Sequence, residues 1–148
     1  MKTLLIACTI CVLAACELAA RAIRKPDWGQ RQELGRVEPG GFLPAGNLAW
    51  LPKTAYSSED SMPNAWLILN VEQPSKGKAS SYAVRMSAYC ASGLVTIGYV
   101  RTFDGPNGAG REISREEMRP PRFLTTTDAA GQLARSALCR RTVASSAR

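Results

Sequence analysis

Residues 82–103 read YAVRMSAYCASGLVTIGYVRTF, and the phase of this stretch decides the fold. From Tyr82 to Cys90 the residues alternate. Tyr82, Val84, Met86, Ala88 and Cys90 share one face, and Arg85 and Ser87 fall on the other. Successive side chains of a strand point to opposite faces, so this period marks a half-buried strand. Leu94 to Phe103 also alternates and groups Val95, Ile97, Tyr99 and Phe103. Ala91-Ser92-Gly93 is the turn between them. A three-residue loop would set Cys90 opposite Leu94 and bring Thr96, Gly98 and Thr102 beside the apolar face of the first strand. A four-residue loop sets Cys90 opposite Val95 and joins the two apolar faces. A slip of one residue flips every side chain. The four-residue loop is therefore expected, with Cys90 on the buried face of a hairpin.

Further strands flank this hairpin. Leu48 to Leu51 is a short one stopped by Pro52, and Ala65 to Val71 (AWLILNV) is a dense apolar run ending before Pro74. Beyond the hairpin, Asp104 to Gly110 (DGPNGAG) is a long turn. Residues 110–119 fit no single element. Arg111, Arg115, Arg119 and Arg122 would nearly align on a helix, yet Ile113 alone offers no apolar stripe. Pro120-Pro121 end that segment, and Arg122 to Thr125 reads as another edge strand. Thr127 then caps a helix whose first-turn Asp128 complements its dipole. Ala130, Leu133, Ala134, Ala137 and Leu138 give that helix a narrow apolar face, and Arg140 and Arg141 suit its C-terminal end. Cys139 lies far from this arc on an ideal wheel, so the helix either stops near Leu138 or packs at an angle. The fold class expected is α+β: an antiparallel sheet of about five or six strands with a C-terminal α-helix on one face.

The N-terminus carries an address. Met1-Lys2 is a short positive region, and Thr3 to Ala15 is an uncharged stretch of thirteen residues. That is the length of a secretory apolar segment and too short for a helix to span a bilayer of ~30 Å. Leu13-Ala14-Ala15-Cys16 has the pattern of a bacterial lipobox: a branched apolar residue, two small ones that enter the peptidase, and a thiol that takes the diacylglycerol. Its rival is Ala20-Arg21-Ala22, an A-x-A site for ordinary cleavage. The lipobox abuts the apolar run directly, so residues 1–15 are expected to leave and Cys16 to become the lipidated first residue (alternatively, 1–22 leave). Glu17 is not the aspartate associated with inner-membrane retention, which favours the outer membrane. Residues 16–46 then comprise the anchor and an extended spacer, since 23–46 hold three prolines and five glycines. Trp28, Phe42 and Leu43 suggest that part of it packs. The folded domain is expected over 47–148.

The cysteines fit this reading. Of five, Cys8 and Cys11 leave with the signal and Cys16 is lipidated or removed. Cys90 and Cys139 remain, in a compartment where disulfides persist, and a bond between them is the natural inference. Metal binding by two thiols without histidine is a poor alternative.

The order of these features resembles the surface-adhesin protein E family of Gram-negative envelope lipoproteins. Trp66 and its strand, Tyr89-Cys90, Val95 to Tyr99, Pro121 and Leu138-Cys139 carry the resemblance, which covers about residues 47–141. It implies a sheet with a C-terminal helix tied across one face by the Cys90–Cys139 disulfide. It also implies adhesion to a host extracellular-matrix or other protein ligand.

Composition narrows the chemistry. The 148 residues include no histidine, which removes Ser-His-Asp and Cys-His catalysis and any histidine-based zinc site. Glu116-Glu117 read as solvated carboxylates rather than an acid–base pair. Asp104-Gly-Pro-Asn107-Gly reads as a turn, lacking the spaced carboxylates of a calcium loop. Trp50 and Trp66 read as core. With nineteen basic and twelve acidic residues, the net charge of +7 favours anionic partners. The candidate ligand-binding row is Arg111, Arg115, Arg119 and Arg122, whose forks suit sulfated glycans, lipopolysaccharide phosphate or an acidic protein face. Interleaved Glu112, Glu116 and Glu117 neutralise much of it. No enzyme activity, cofactor, metal or nucleic-acid partner is expected. The expected partners are the membrane through its lipid, a matrix or envelope protein, and a second copy through an edge strand. The expected location is the outer membrane, with the periplasm or medium as the alternative. A periplasm-facing structural or assembly role is the alternative function.

Overall fold

The computed structural model describes residues 28–57 and 62–145. The segment expected to be a signal, with Cys8, Cys11 and the expected lipidation site Cys16, lies outside them. Seven strands are described: β1 (Gln32–Val37), β2 (Gly46–Trp50), β3 (Tyr56–Ser57), β4 (Pro63–Val71), β5 (Ser81–Tyr89), β6 (Leu94–Phe103) and β7 (Glu112–Leu124). One helix, α1 (Ala129–Ser145), follows them. The sheet runs β1-β2-β4-β5-β6-β7 with antiparallel neighbours, and the two-residue β3 pairs with the start of β4. The expected sheet, with a helix on one face and a disulfide joining them, is what the chain forms.

The β5–β6 hairpin joins its apolar faces through a four-residue loop, but the loop is Cys90–Gly93. Tyr89 faces Leu94, Ala88 faces Val95 and Met86 faces Ile97. Cys90 therefore leaves the ladder and sits in the turn, whereas the sequence placed it opposite Val95. A second departure follows at Gly98. The register shifts there, so Arg85 faces Tyr99 and Val84 faces Val100. The bulge inserts one residue into β6 and reverses its phase. Val95, Ile97 and Val100 face the helix, while Tyr99, Arg101 and Phe103 face the other way. Grouping Tyr99 and Phe103 with Val95 and Ile97 is thereby corrected.

This phase change feeds two clusters. On the helix side, Leu67, Leu69, Val84, Met86 and Ile97 are buried under Ala130, Ala134 and Leu138 of α1. On the opposite side, Leu51, Ile68, Ala83 and Phe103 form a smaller cluster, closed by Trp28 and Trp66. The Trp28 ring meets Trp66 edge-on at 5.6 Å and Phe103 at 6.4 Å. Trp50 is core, as read, on the helix side; Trp66 is half-buried on the other.

Residues assigned to the spacer also enter the fold. Residues 32–37 form β1 against β2, Val37 and Leu43 are buried, and Phe42 packs on the helix-side cluster. The folded unit thus begins upstream of Asn47. Glycines mask this segment in the sequence: β1 contains Gly35 and an irregularity between Glu33 and Gly35, so no clean alternation appears.

The ambiguous stretch after Gly110 is one strand. β7 pairs with β6 on both sides of Pro120-Pro121. Ile97 faces Arg122 and Tyr99 faces Glu117, leaving residues 118–121 looped out opposite Gly98. Proline has no N–H to give a ladder, and an edge strand with a bulge is where it is tolerated. The helix opens on Asp128 rather than Thr127. The Asp128 Oδ1 accepts from the N–H groups of Ala130 (3.0 Å) and Gly131 (3.3 Å), while Thr127 shares a hydrogen bond with Thr125. α1 runs past Leu138, and Cys139 reaches the sheet because Cys90 lies beyond the end of β5. A bond to a residue at the sheet's end does not require a place on the helix's apolar arc.

Candidate functional site

Of the predicted site residues, Cys90 and Cys139 are brought together, with Cα atoms 5.6 Å apart and sulfurs bonded. The four arginines are not. In a regular strand a spacing of four would keep Arg111, Arg115 and Arg119 in one phase, but register irregularities between Glu112 and Ser114 and at 118–121 interrupt it. Arg111 lies 3.5 Å from Asp104. Arg115 pairs with Glu112 and Arg119 with Glu117, both at 2.8 Å. Arg122, on the helix side, stacks 4.3 Å above the Phe42 ring. Each guanidinium already has a partner.

Charge is instead concentrated around Glu112. Arg101 is 9 % exposed, packed between the Trp28 and Phe103 rings and ion-paired to Glu112. Glu112 Oε2 accepts from Arg101 Nε at 3.1 Å, and Oε1 accepts from Arg115 Nε at 2.8 Å. The hydrogen bond from Arg115, then that from Arg101, holds the Glu112 carboxyl at about 2. The same bond raises the Arg115 pKa. This cluster binds the N-terminal tryptophan to the far edge of the sheet. Its carboxylate accepts from two guanidiniums, which suits a structural tie better than proton transfer.

The free chemistry lies at the end of the sheet marked by the Cys90–Gly93 turn. Tyr89 and Leu94 face each other across the hairpin, and Phe123 faces Thr96 one step further in. Their phase places all three on the face away from α1. They are 39 %, 38 % and 60 % exposed, three of the four large apolar side chains so exposed among the described residues. On the helix side of the same turn, the Arg135 guanidinium lies against Gly93. Arg135 and Arg140 line a groove with Thr126, Gln132, Ser136 and Cys139. Neither arginine has an acidic partner among the described residues. Asp128, close in sequence, has an oxygen committed to the start of α1.

Sequence reasoning missed this grouping because its members come from β5, β6, β7 and α1. Tyr89 was legible as an apolar residue out of phase with its strand, and Leu94 as its mate once register is known. Nothing in the sequence brings Arg135 to Gly93. No protein-family model, curated protein or solved structure matches the chain.

Proposed function

We propose that the chain is a non-enzymatic lipoprotein of the outer membrane, anchored through Cys16. Its sheet-and-helix domain, like that of the surface-adhesin protein E family, holds a protein ligand by surface contact without turnover. The ligand class is a host extracellular-matrix protein or another protein at the cell surface. The observation that carries the reading is the Cys90–Cys139 disulfide, which fastens α1, the only described α-helix, to the end of the sheet. Such a bond persists in an oxidising compartment, and a lipobox before Cys16 is a route to one.

The test has two arms. Intact mass of the chain taken from its own membrane fraction should show a first residue Cys16 bearing acyl groups. Reduction should add two hydrogens. Protease added to intact cells should then remove the domain. A soluble chain starting at Ile23 would overturn the anchor, and an anchored domain resistant to external protease would favour the periplasm-facing role.

A further inference from the structure

We propose that the Cys90–Gly93 end of the domain docks on an anionic lipid bilayer. Tyr89, Leu94 and Phe123 enter the interface, while Arg135 and Arg140 meet headgroup phosphates. This goes beyond the anchor and stands apart from it, since it concerns how the folded domain sits.

Three observations select a bilayer. First, the three most accessible apolar groups at this end share one face, with Tyr89 opposite Leu94 and Phe123 opposite Thr96 one same-face step along β6, and two are aromatic. Tyrosine and similar side chains suit a boundary that is apolar on one side and wet on the other. Second, Arg135 and Arg140 have no carboxylate partner among the described residues. Long cationic side chains reach phosphates while their stems lie along apolar surface. Third, the apolar trio and the arginines occupy opposite faces of the sheet and converge only at its end. A flat protein epitope would meet one face. A bilayer entered by the ends of the strands touches both. A second copy docked here about a two-fold axis would bring two cationic ends together.

The fixed turn also matters. The bond from Cys90 to Cys139 secures α1 beside the hairpin end, so Arg135 is held at Gly93, at the same end of the sheet as the apolar trio, before any lipid is met. Less ordering is then required on docking.

The experiment uses the full chain in vesicles whose acyl chains are brominated, and compares the wild type with F123W. The wild type supplies the background from Trp28, Trp50 and Trp66. The introduced indole should be quenched in bilayers containing phosphatidylglycerol and not in pure phosphatidylcholine. Added salt should weaken the effect. R135Q and R140Q should each reduce the docked-to-undocked ratio about fivefold, as expected for one cation near an anionic surface. L94S should reduce it too, and its exposed position spares the fold. No extra quenching of disulfide-intact F123W on anionic bilayers would overturn the proposal. Quenching indifferent to lipid charge would also overturn it. So would shielding of the introduced indole that needs only a second copy or an acidic polypeptide and no lipid. The intact mass of the same preparation reports the acyl anchor separately, so loss of one claim is not mistaken for loss of the other.

Discussion

Arg101 lies 5.7 Å from the centroid of the Trp28 ring, joining the first described residue of the chain to a central strand next to the edge strand β7. Trp28 is held by two aromatic edges and this cation, and its indole N–H, buried against Gly108, has no hydrogen-bond acceptor among the described residues.

Trp28→Ala should therefore cost roughly 3 kcal/mol in urea melts, through lost area and ring contacts. Trp28→Phe should cost much less, because it keeps an aromatic ring and discards an N–H that no described residue accepts. A chain beginning at Asn47 should fail to fold, as it also lacks β1 and Leu43.

Glu112→Gln removes a charge that two arginines hold. The expected loss at pH 7 is about 2 kcal/mol, in line with hydrogen bonds to charged groups. The pH dependence has a definite sign. The folded carboxyl titrates near 2, below its ordinary 4.5, so its contribution is present above about 4.5 and disappears as pH falls towards 2. Wild type and E112Q should differ at pH 7 and converge by about pH 2 when denaturant midpoints are compared.

Two glycines of the sheet should respond oppositely to alanine. A Cβ on Gly46 would lie 2.0 Å from the backbone oxygen of Asn70 in β4, and the ladder there cannot move aside. Gly46→Ala should cost about 3 kcal/mol, at the upper end for overpacking. A Cβ on Gly98 meets nothing within 4 Å, so Gly98→Ala should melt within about 0.5 kcal/mol of wild type.

The disulfide closes a loop of 49 residues in sequence separation. Replacing both cysteines by serine should lower stability by roughly 4 kcal/mol in the chain-entropy account, measured against the oxidised chain by guanidinium melts. Vesicle docking should weaken with it if α1 is what holds Arg135 beside Gly93.

What the sequence made legible was whatever a local pattern encodes. The alternation of Tyr82 to Ala88 announced β5, and the apolar run before Pro74 announced β4. The two cysteines outside the N-terminal apolar segment announced their bond. The missing parts depend on non-local pairing. β1 has an irregularity at Leu34 and glycine at 35, so it becomes a strand only beside β2. Residues 112–124 carry few apolar side chains because they form an edge, and two prolines hide their continuity. The candidate site was the least legible part. Its arginines and apolar residues are ordinary in their own segments and acquire meaning through the Cys90–Gly93 turn.

The bulge at Gly98 makes β6 sensitive to length as well as to composition. A gene that lost this one codon would still encode every other side chain of the domain. It would nevertheless deliver Tyr99, Arg101 and Phe103 to the helix side and leave Trp28 with no surface to close. In the inheritance of this fold, a silent-looking deletion at an unremarkable glycine would be costlier than most replacements of a buried leucine.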